Sequence, residues 1–366
     1  VENFSWHEIT KDDSDAIVKK KQQINPIQNQ HLCGSCWAMS ISAVISDCFV
    51  VSGISNIKPK ISPTYLMMIV PTSFGNNQCN GGNPASVVKA LENIDVLDSH
   101  CVDYSWCSND NEMCSSHKQI LDIGDKLDEK IPKSKNGACY FSGMRKSYRI
   151  DVGSELISIS DNLICGDFRN CVKSHIVDFG PVITGFAVLE NFVTGNFTLN
   201  DGIYFENANY EDPYNIRFDL EKSQLVGFHA VRIVGWGVGK NIQYDTDKYG
   251  DVPYWIAANS WGNNWGHMNG YFKMAMYPFN KFAQFGKQIE SHGEKVGGMI
   301  LIRATKPPSL KFYPQLSKHY LDSITKSEPD SYYKPEKEKV VVYGAIVLGV
   351  ISILFSLVQF LISMNR

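Results

Sequence analysis

Residues 30–40 read "QHLCGSCWAMS". Two thiols, Cys33 and Cys36, stand three positions apart among small residues, and Trp37 follows directly. Such a pair can ligate zinc, cycle as a redox couple, belong to a disulfide framework, or hold a nucleophile beside a structural partner. From Cys36 onward, "CWAMSISAVISDCFVV" (36–51) places Trp37, Ile41, Val44, Ile45 and Phe49 at helical spacing. Cys36 therefore falls in the first turn of a predicted helix. Unpaired amides there carry about half a positive charge, which stabilises a thiolate and lets it titrate below the reference of about 8.5. Zinc needs a second close ligand pair, and the other neighbouring cysteines are spaced six or seven apart. A redox pair would follow the first strand of a βαβ unit, and no such pattern surrounds this one. The nucleophile reading survives.

Bulk properties narrow the classes further. The chain has 366 residues, 43% hydrophobic and 20% charged, enough for one large bilobal domain or two modest ones. Its net charge of −3 excludes the cationic face expected of a nucleic-acid reader. Ten cysteines are many for a reducing compartment and predict disulfides. If one thiol is a nucleophile, nine remain, so at least one more stays unpaired. The N-terminal "VENFSWHEITKDDSDAIVKKKQQ" has no signal-peptide core; from the start at Val1 rather than Met we expect a removed segment, the initiator Met alone or a cleaved leader.

The C-terminal region separates from the rest. "VVVYGAIVLGVISILFSLVQFLI" (340–362) is 23 uncharged residues, with Gln359 its most polar member. As a helix it would be roughly 34 Å long, slightly more than a bilayer's hydrocarbon core. We expect a transmembrane helix there, followed by a short tail, 363–366. Residues 306–339 hold five prolines and seven lysines with no continuous apolar period, the composition of an extended stalk. Within 1–305 the signals are those of an α+β globule. "HAVRIVGW" (229–236) and "VPYWIAANSW" (252–261) read as strands, and 98–139, with four cysteines, as a loop-rich insertion.

The segment around Cys36 resembles the active-site stretch of papain-like cysteine proteases. Three further segments match in the family's order: "CNGGNP" (79–84), "GFHAVRIVGWG" (227–237) and "YWIAANSWGNNWG" (254–266). "HAVRIVGWG" and "VDFGPVITGFAVLENF" (177–192) are most similar to cathepsin B, and "NFSWHE" (3–8) resembles the start of the family's mature domain. The resemblance covers roughly 1–300. It implies a papain-like two-lobed fold, with a helical lobe bearing Cys36 and a β-barrel-like lobe bearing His229 and Asn259. It also implies hydrolysis of protein or peptide substrates without a cofactor or metal. By resemblance, Cys36 is the nucleophile, His229 its base, Asn259 the group that orients the imidazole, and Gln30 an oxyanion donor. Gly81, Gly82 and Trp261 are then the substrate-binding residues, Trp261 also shielding the His–Asn contact from water, and Cys33 pairs with Cys79.

Departures from the family pattern shape the remaining expectations. Cys36 and His229 are 193 positions apart, the extra length lying mainly in 98–175 and 205–226. The adjacent histidines of cathepsin B's occluding loop have no counterpart; His100 and His117 stand apart, so an endopeptidase is expected rather than a dipeptide-removing enzyme. The specificity segment "QIESHGEKVGG" (288–298) offers His292 and Glu294, neither of which fixes a preference. Only 35 residues precede Cys36, so an inhibitory pro-segment was cut away, or location and the 98–139 insertion restrain activity. Lys334, Lys337 and Lys339 before the apolar span, against Arg366 after it, put the globule on the cytosolic side, as in a tail-anchored protein. The sequons Asn3-Phe4-Ser5 and Asn196-Phe197-Thr198 and the cysteines point to the lumenal side. Similar anchored cathepsin-B-like proteins of iridoviruses suggest a virion membrane, which reconciles the two. The alternatives are a structural membrane protein with its cleft blocked by inserts, and a transferase or ligase using the same acyl-enzyme. Oligomeric state has no signature here.

Overall fold

The computed structural model describes residues 2–92, 95–107, 114, 139–141, 144–161, 166–195, 197, 201–206, 225–245, 248–277, 283–291 and 294–313. Outside them lie most of the 98–139 insertion with His117, His292, the region from 314 to 339, and the apolar segment 340–362. Among the described residues no helix is long and apolar enough to cross a membrane.

The helices are α1 (Asp15–Lys21), α2 (Cys36–Val51), α3 (Pro63–Ile69), α4 (Pro84–Ala90), α5 (Phe168–Phe179) and α6 (Glu190–Val193). The first strands are β1 (Phe4–Ser5), β2 (Asp95–Val96), β3 (Tyr140–Phe141), β4 (Met144–Arg149), β5 (Val152–Ile157), β6 (Val182–Leu189) and β7 (Ile203–Tyr204). They are followed by β8 (Leu225–Asp245), β9 (Lys248–Ala258), β10 (Tyr271–Ala275), β11 (Gln288–Ser291), β12 (Glu294–Gly297), β13 (Met299–Ala304) and β14 (Ser309–Tyr313). One eight-stranded sheet runs β5-β13-β6-β8-β9-β10-β7, with β1 on β8. The barrel-like lobe is this sheet, open at β5 and β7. A smaller sheet, β14-β4-β2 with β3, flanks the helical side.

Two apolar cores result. One gathers Trp6, Phe186, Phe192, Trp255, Phe272 and Phe285 around the large sheet. The other packs Trp37, Ile41, Ile45 and Phe49 of α2 against α3, α4 and the β13 side chains Ile300 and Ile302. The sequence pattern predicts one apolar stripe on α2, yet every residue after Cys36 is buried. The physical reason is enclosure: α2 packs on β8 and β13 on one side and on α3, α4 and α5 on the others. Its polar members are satisfied internally, Ser40 Oγ donating to Ala230 O and Ser46 Oγ to Ser42 O. A helix that is hidden all round needs no polar face.

The expected stalk is corrected at its start. Ser309–Tyr313 is a strand, registered on Arg149–Arg145 of β4. Pro307 and Pro308 before it and Pro314 after it bound the strand without interrupting it, and edge strands tolerate such neighbours. The globule therefore continues to Tyr313.

Three disulfides join described residues: Cys33–Cys79, Cys101–Cys139 and Cys107–Cys114; Cys171 is also disulfide-bonded. Cys36 and Cys48 are the free thiols among the described residues. Cys48 is buried in α2 with its thiol on Ile45 O, and desolvation pushes its titration far upward. It is the second unpaired cysteine that the odd count requires.

Buried His175 on α5 makes stability pH-dependent. Its Nε2–H donates to Ile302 O at 3.1 Å, and burial pulls its pKa down to about 4 from 6.5. The unfolded chain then binds the extra proton first, so stability is full above about pH 6.5 and falls as pH drops toward 4. The total loss is on the order of 3 kcal/mol. His175→Gln keeps a donor for Ile302 O and removes the titration. Urea unfolding of the variant between pH 7 and 4.5 is expected to show a shallower acid decline than the parent; an equal slope would remove His175 from the account.

Candidate active site

Cys36 opens α2, and the backbone reaches it through a tight approach: Gly34 N–H donates to Cys79 O at 2.8 Å beside the Cys33–Cys79 disulfide. The helix start is thereby fixed to the 79–82 turn. Gly81 sits at φ +106°, a conformation that side chains other than glycine's rarely adopt. Gly82 has a different constraint: a Cβ there would stand 2.7 Å from the Trp37 indole. Its missing side chain makes room for Trp37, whose Nε1–H donates to Gln78 O at 3.2 Å.

On the opposite lobe, β6, β8 and β9 place His229 and Asn259. His229 lies within β8 opposite Phe186, and Asn259 follows the last residue of β9. Trp261 stacks near His229, ring centroids 4.8 Å apart, within an aromatic cluster including Phe192 and Trp265. The lobes meet where the Cys36 thiol touches the backbone of Ala230, the residue next to His229.

The hydrogen bonds fix the histidine tautomer. Asn259 Oδ1 accepts the Ser260 backbone N–H at 2.8 Å, which can only donate, so this atom is the amide oxygen. The same oxygen lies 2.7 Å from His229 Nε2, so Nε2 carries the hydrogen. Nδ1 is left with its lone pair. Burial lowers the His229 pKa to about 4, partly opposed by the Asn259 hydrogen bond. Burial likewise pushes the Cys36 thiol up, against the backbone groups of Ala230, Trp37 and Cys36 itself, which pull it down. The helix-start effect expected from the sequence is present, but desolvation outweighs it. Both groups are thus held toward their neutral forms, opposed on the sulfur by the Ala230, Trp37 and Cys36 backbone and on the imidazole by Asn259.

Gln30 is buried and clamped. Its Oε1 accepts from Ser260 Oγ at 2.6 Å, its N–H donates to Ser260 O at 2.8 Å, and its Nε2 donates to Cys33 O at 2.9 Å. One of the two Nε2 hydrogens is engaged by Cys33. Ser260 therefore touches both sides of the site, holding Asn259 through its N–H and Gln30 through its hydroxyl. Sequence reading passed over it, although it stands inside "NSW". His100 of the insertion pairs with Asp98 at 2.6 Å, its own side chain largely exposed.

Beneath the site, Asp47 of α2 is fully buried and binds Arg232 of β8 at 3.0 Å and Lys58 at 3.2 Å. It also accepts from Asn25 N and Nδ2, while Arg232 donates to the carbonyls of Asn25 and Pro26. Helix, strand and the segment leading to Gln30 are joined at this point.

Comparison with known proteins shows the family. Residues 12–284 match the papain family cysteine protease profile. The chain is 35% identical over 351 residues to "Probable cysteine proteinase 224L" of Invertebrate iridescent virus 6, covering 93% of this chain and 76% of that protein. It is 37% identical over 321 residues to "Probable cysteine proteinase 024R" of Invertebrate iridescent virus 3, covering 84% and 64% respectively. With "Cathepsin B-like cysteine proteinase 2" of Haemonchus contortus it shares 28% identity over 256 residues, 68% of this chain and 63% of that one. The Cys36 helix docked against the sheet that carries His229 and Asn259, together with a family match over residues 12–284, leads to one conclusion: the chain belongs to the papain family of cysteine proteases.

Proposed function

We propose that this protease cleaves internal peptide bonds through an acyl-thioester on Cys36, at a membrane to which residues 340–362 anchor it. The observation that carries the chemistry is the His229 tautomer. With Nε2–H donated to Asn259 Oδ1, Nδ1 is the basic nitrogen on the ring. It takes the Cys36 proton as sulfur attacks the substrate carbonyl, and returns it to the leaving amine. A water then repeats the cycle on the thioester. The oxyanion meets the Cys36 N–H and the second Nε2 hydrogen of Gln30, whose amide Ser260 and Cys33 O hold in place.

Gln30→Ala is expected to lower kcat by about 10²-fold or more with a smaller change in KM, because this donor acts mainly on developing charge. Steady-state kinetics on a fluorogenic peptide test it, and an unchanged kcat would send the role elsewhere, Gln28 being the next candidate. The absence of adjacent histidines in 98–139 supports endopeptidase action. The uncharged 340–362 segment, joined to β14 by 314–339, supports the anchor. Lysines before the span support a cytosolic-facing globule, and the iridescent-virus source of two relatives supports a viral setting for the proposed virion membrane. Removing 340–366 should leave hydrolysis of a short soluble peptide unchanged and slow cleavage of a vesicle-tethered substrate. Loss of peptide hydrolysis in a folded, monodisperse truncation would contradict the modular reading.

A further inference from the structure

The 98–107 segment reaches back to the start of α2. Tyr104 packs against Trp106, ring centroids 5.0 Å apart and planes tilted by 56°, and Trp106 Nε1 donates to Thr64 Oγ1 at 2.9 Å. So held, the Tyr104 hydroxyl donates to the Gln30 carbonyl at 3.1 Å and lies 2.6 Å from Ser35 Oγ. The direction of this chain follows from donor counting. A carbonyl only accepts, so the single tyrosine proton goes to Gln30 O, and Ser35 Oγ–H donates to the tyrosine oxygen.

Ser35 occupies the N-cap position of α2 and is fully buried. A serine there ordinarily turns its oxygen onto the second or third amide of the helix. Here it makes no such bond. Its hydroxyl is directed to Tyr104, and the amides of Cys36 and Trp37 face the Cys36 sulfur instead. The helix start is left uncapped where uncapped amides are useful.

We propose that Tyr104 is a positioning residue: by engaging the Ser35 hydroxyl it keeps the first amides of α2 available to the Cys36 thiolate, and by donating to Gln30 O it ties the same point to the oxyanion wall. The insertion is then a buttress of the nucleophile. Without the phenol, Ser35 Oγ turns onto the Trp37 amide and withdraws a donor from the sulfur. Among the described residues, the titratable and charged groups on elements packed against α2 include His229 and Arg232 on β8 and His175 on α5, with Tyr104 on the 98–107 segment; within α2, Cys48 is buried and Asp47 is engaged by Arg232 and Lys58.

This inference rests on Cys36 being the nucleophile, and its test separates the two. Iodoacetamide alkylation of Cys36 is followed by mass spectrometry across pH 5–9 in the full chain. Tyr104→Phe should melt near the parent, slow alkylation at pH 6.5 about tenfold, and move its midpoint up by about one unit, the effect of one charge-assisted hydrogen bond. In a Ser35→Ala background no hydroxyl is left to compete, so adding Tyr104→Phe should change the rate less than threefold. A reactive parent with an unshifted Tyr104→Phe midpoint overturns the proposal, as does an equal Tyr104→Phe effect with and without Ser35. A parent whose Cys36 is not alkylated at all overturns the nucleophile reading instead.

Discussion

Cys36→Ala is expected to abolish peptide hydrolysis, with a loss in kcat on the order of 10⁶-fold, while leaving the fold intact. In the proposed mechanism the sulfur forms the acyl-thioester, so its removal leaves the His229–Asn259 pair with no nucleophile to activate. Structurally the change is small: Cys36 is half-buried, and α2 is held along its whole length by other side chains. Its neighbour should behave in the opposite way. Cys33→Ala opens the loop closed by the Cys33–Cys79 bridge, 46 residues in sequence separation, and should cost about 2–4 kcal/mol. Chemistry should be partly retained, because Gly34 N–H still reaches Cys79 O. Peptide turnover and urea unfolding of the two variants separate them; matching profiles would overturn the division of roles.

Asp47→Ala should destabilise the protein by about 3–5 kcal/mol, among the largest effects of any single side chain here. The carboxylate is fully buried, and Arg232 is nearly so. Removing the acid leaves a guanidinium and the Lys58 ammonium facing each other without their shared counter-charge, and Asn25 without its acceptor. The damage should reach function as well. Asn25 and Pro26 lead directly to Gln30, so any folded remnant is expected to show a lowered kcat. Denaturant unfolding decides the point, and a loss below about 1 kcal/mol would mean that the pair barely offsets its own desolvation.

Much of the site is legible in the sequence because its parts are local. The periodicity from Trp37 to Phe49 marks α2, and the helix begins at Cys36 as that pattern requires. The β-branched, aromatic runs mark β8 and β9. What escapes the sequence is contact between distant segments. Asp47 and Arg232 are 185 positions apart, and nothing in either neighbourhood announces the pair. Tyr104 lies 69 positions from Ser35, in a stretch whose cysteines and polar residues read only as loop. Gly82 looks like substrate clearance until the indole of Trp37 is placed against it. The strand Ser309–Tyr313 is hidden by its flanking prolines, since its apolar alternation is too short to stand out.

The central claim, an open cleft with Cys36 as its nucleophile, is tested most directly by labelling. A peptidyl epoxide presents a substrate-shaped electrophile that needs both an accessible cleft and an activated thiol. Cys36 and Cys48 are the two free thiols among the described residues, and Cys48 is buried with its titration pushed far upward. Incubation of the full chain at pH 6–7, followed by peptide mapping, should find one covalent adduct, on Cys36, absent from Cys36→Ala. An intact, folded protein that takes up no label, or carries it on Cys48, would contradict the account.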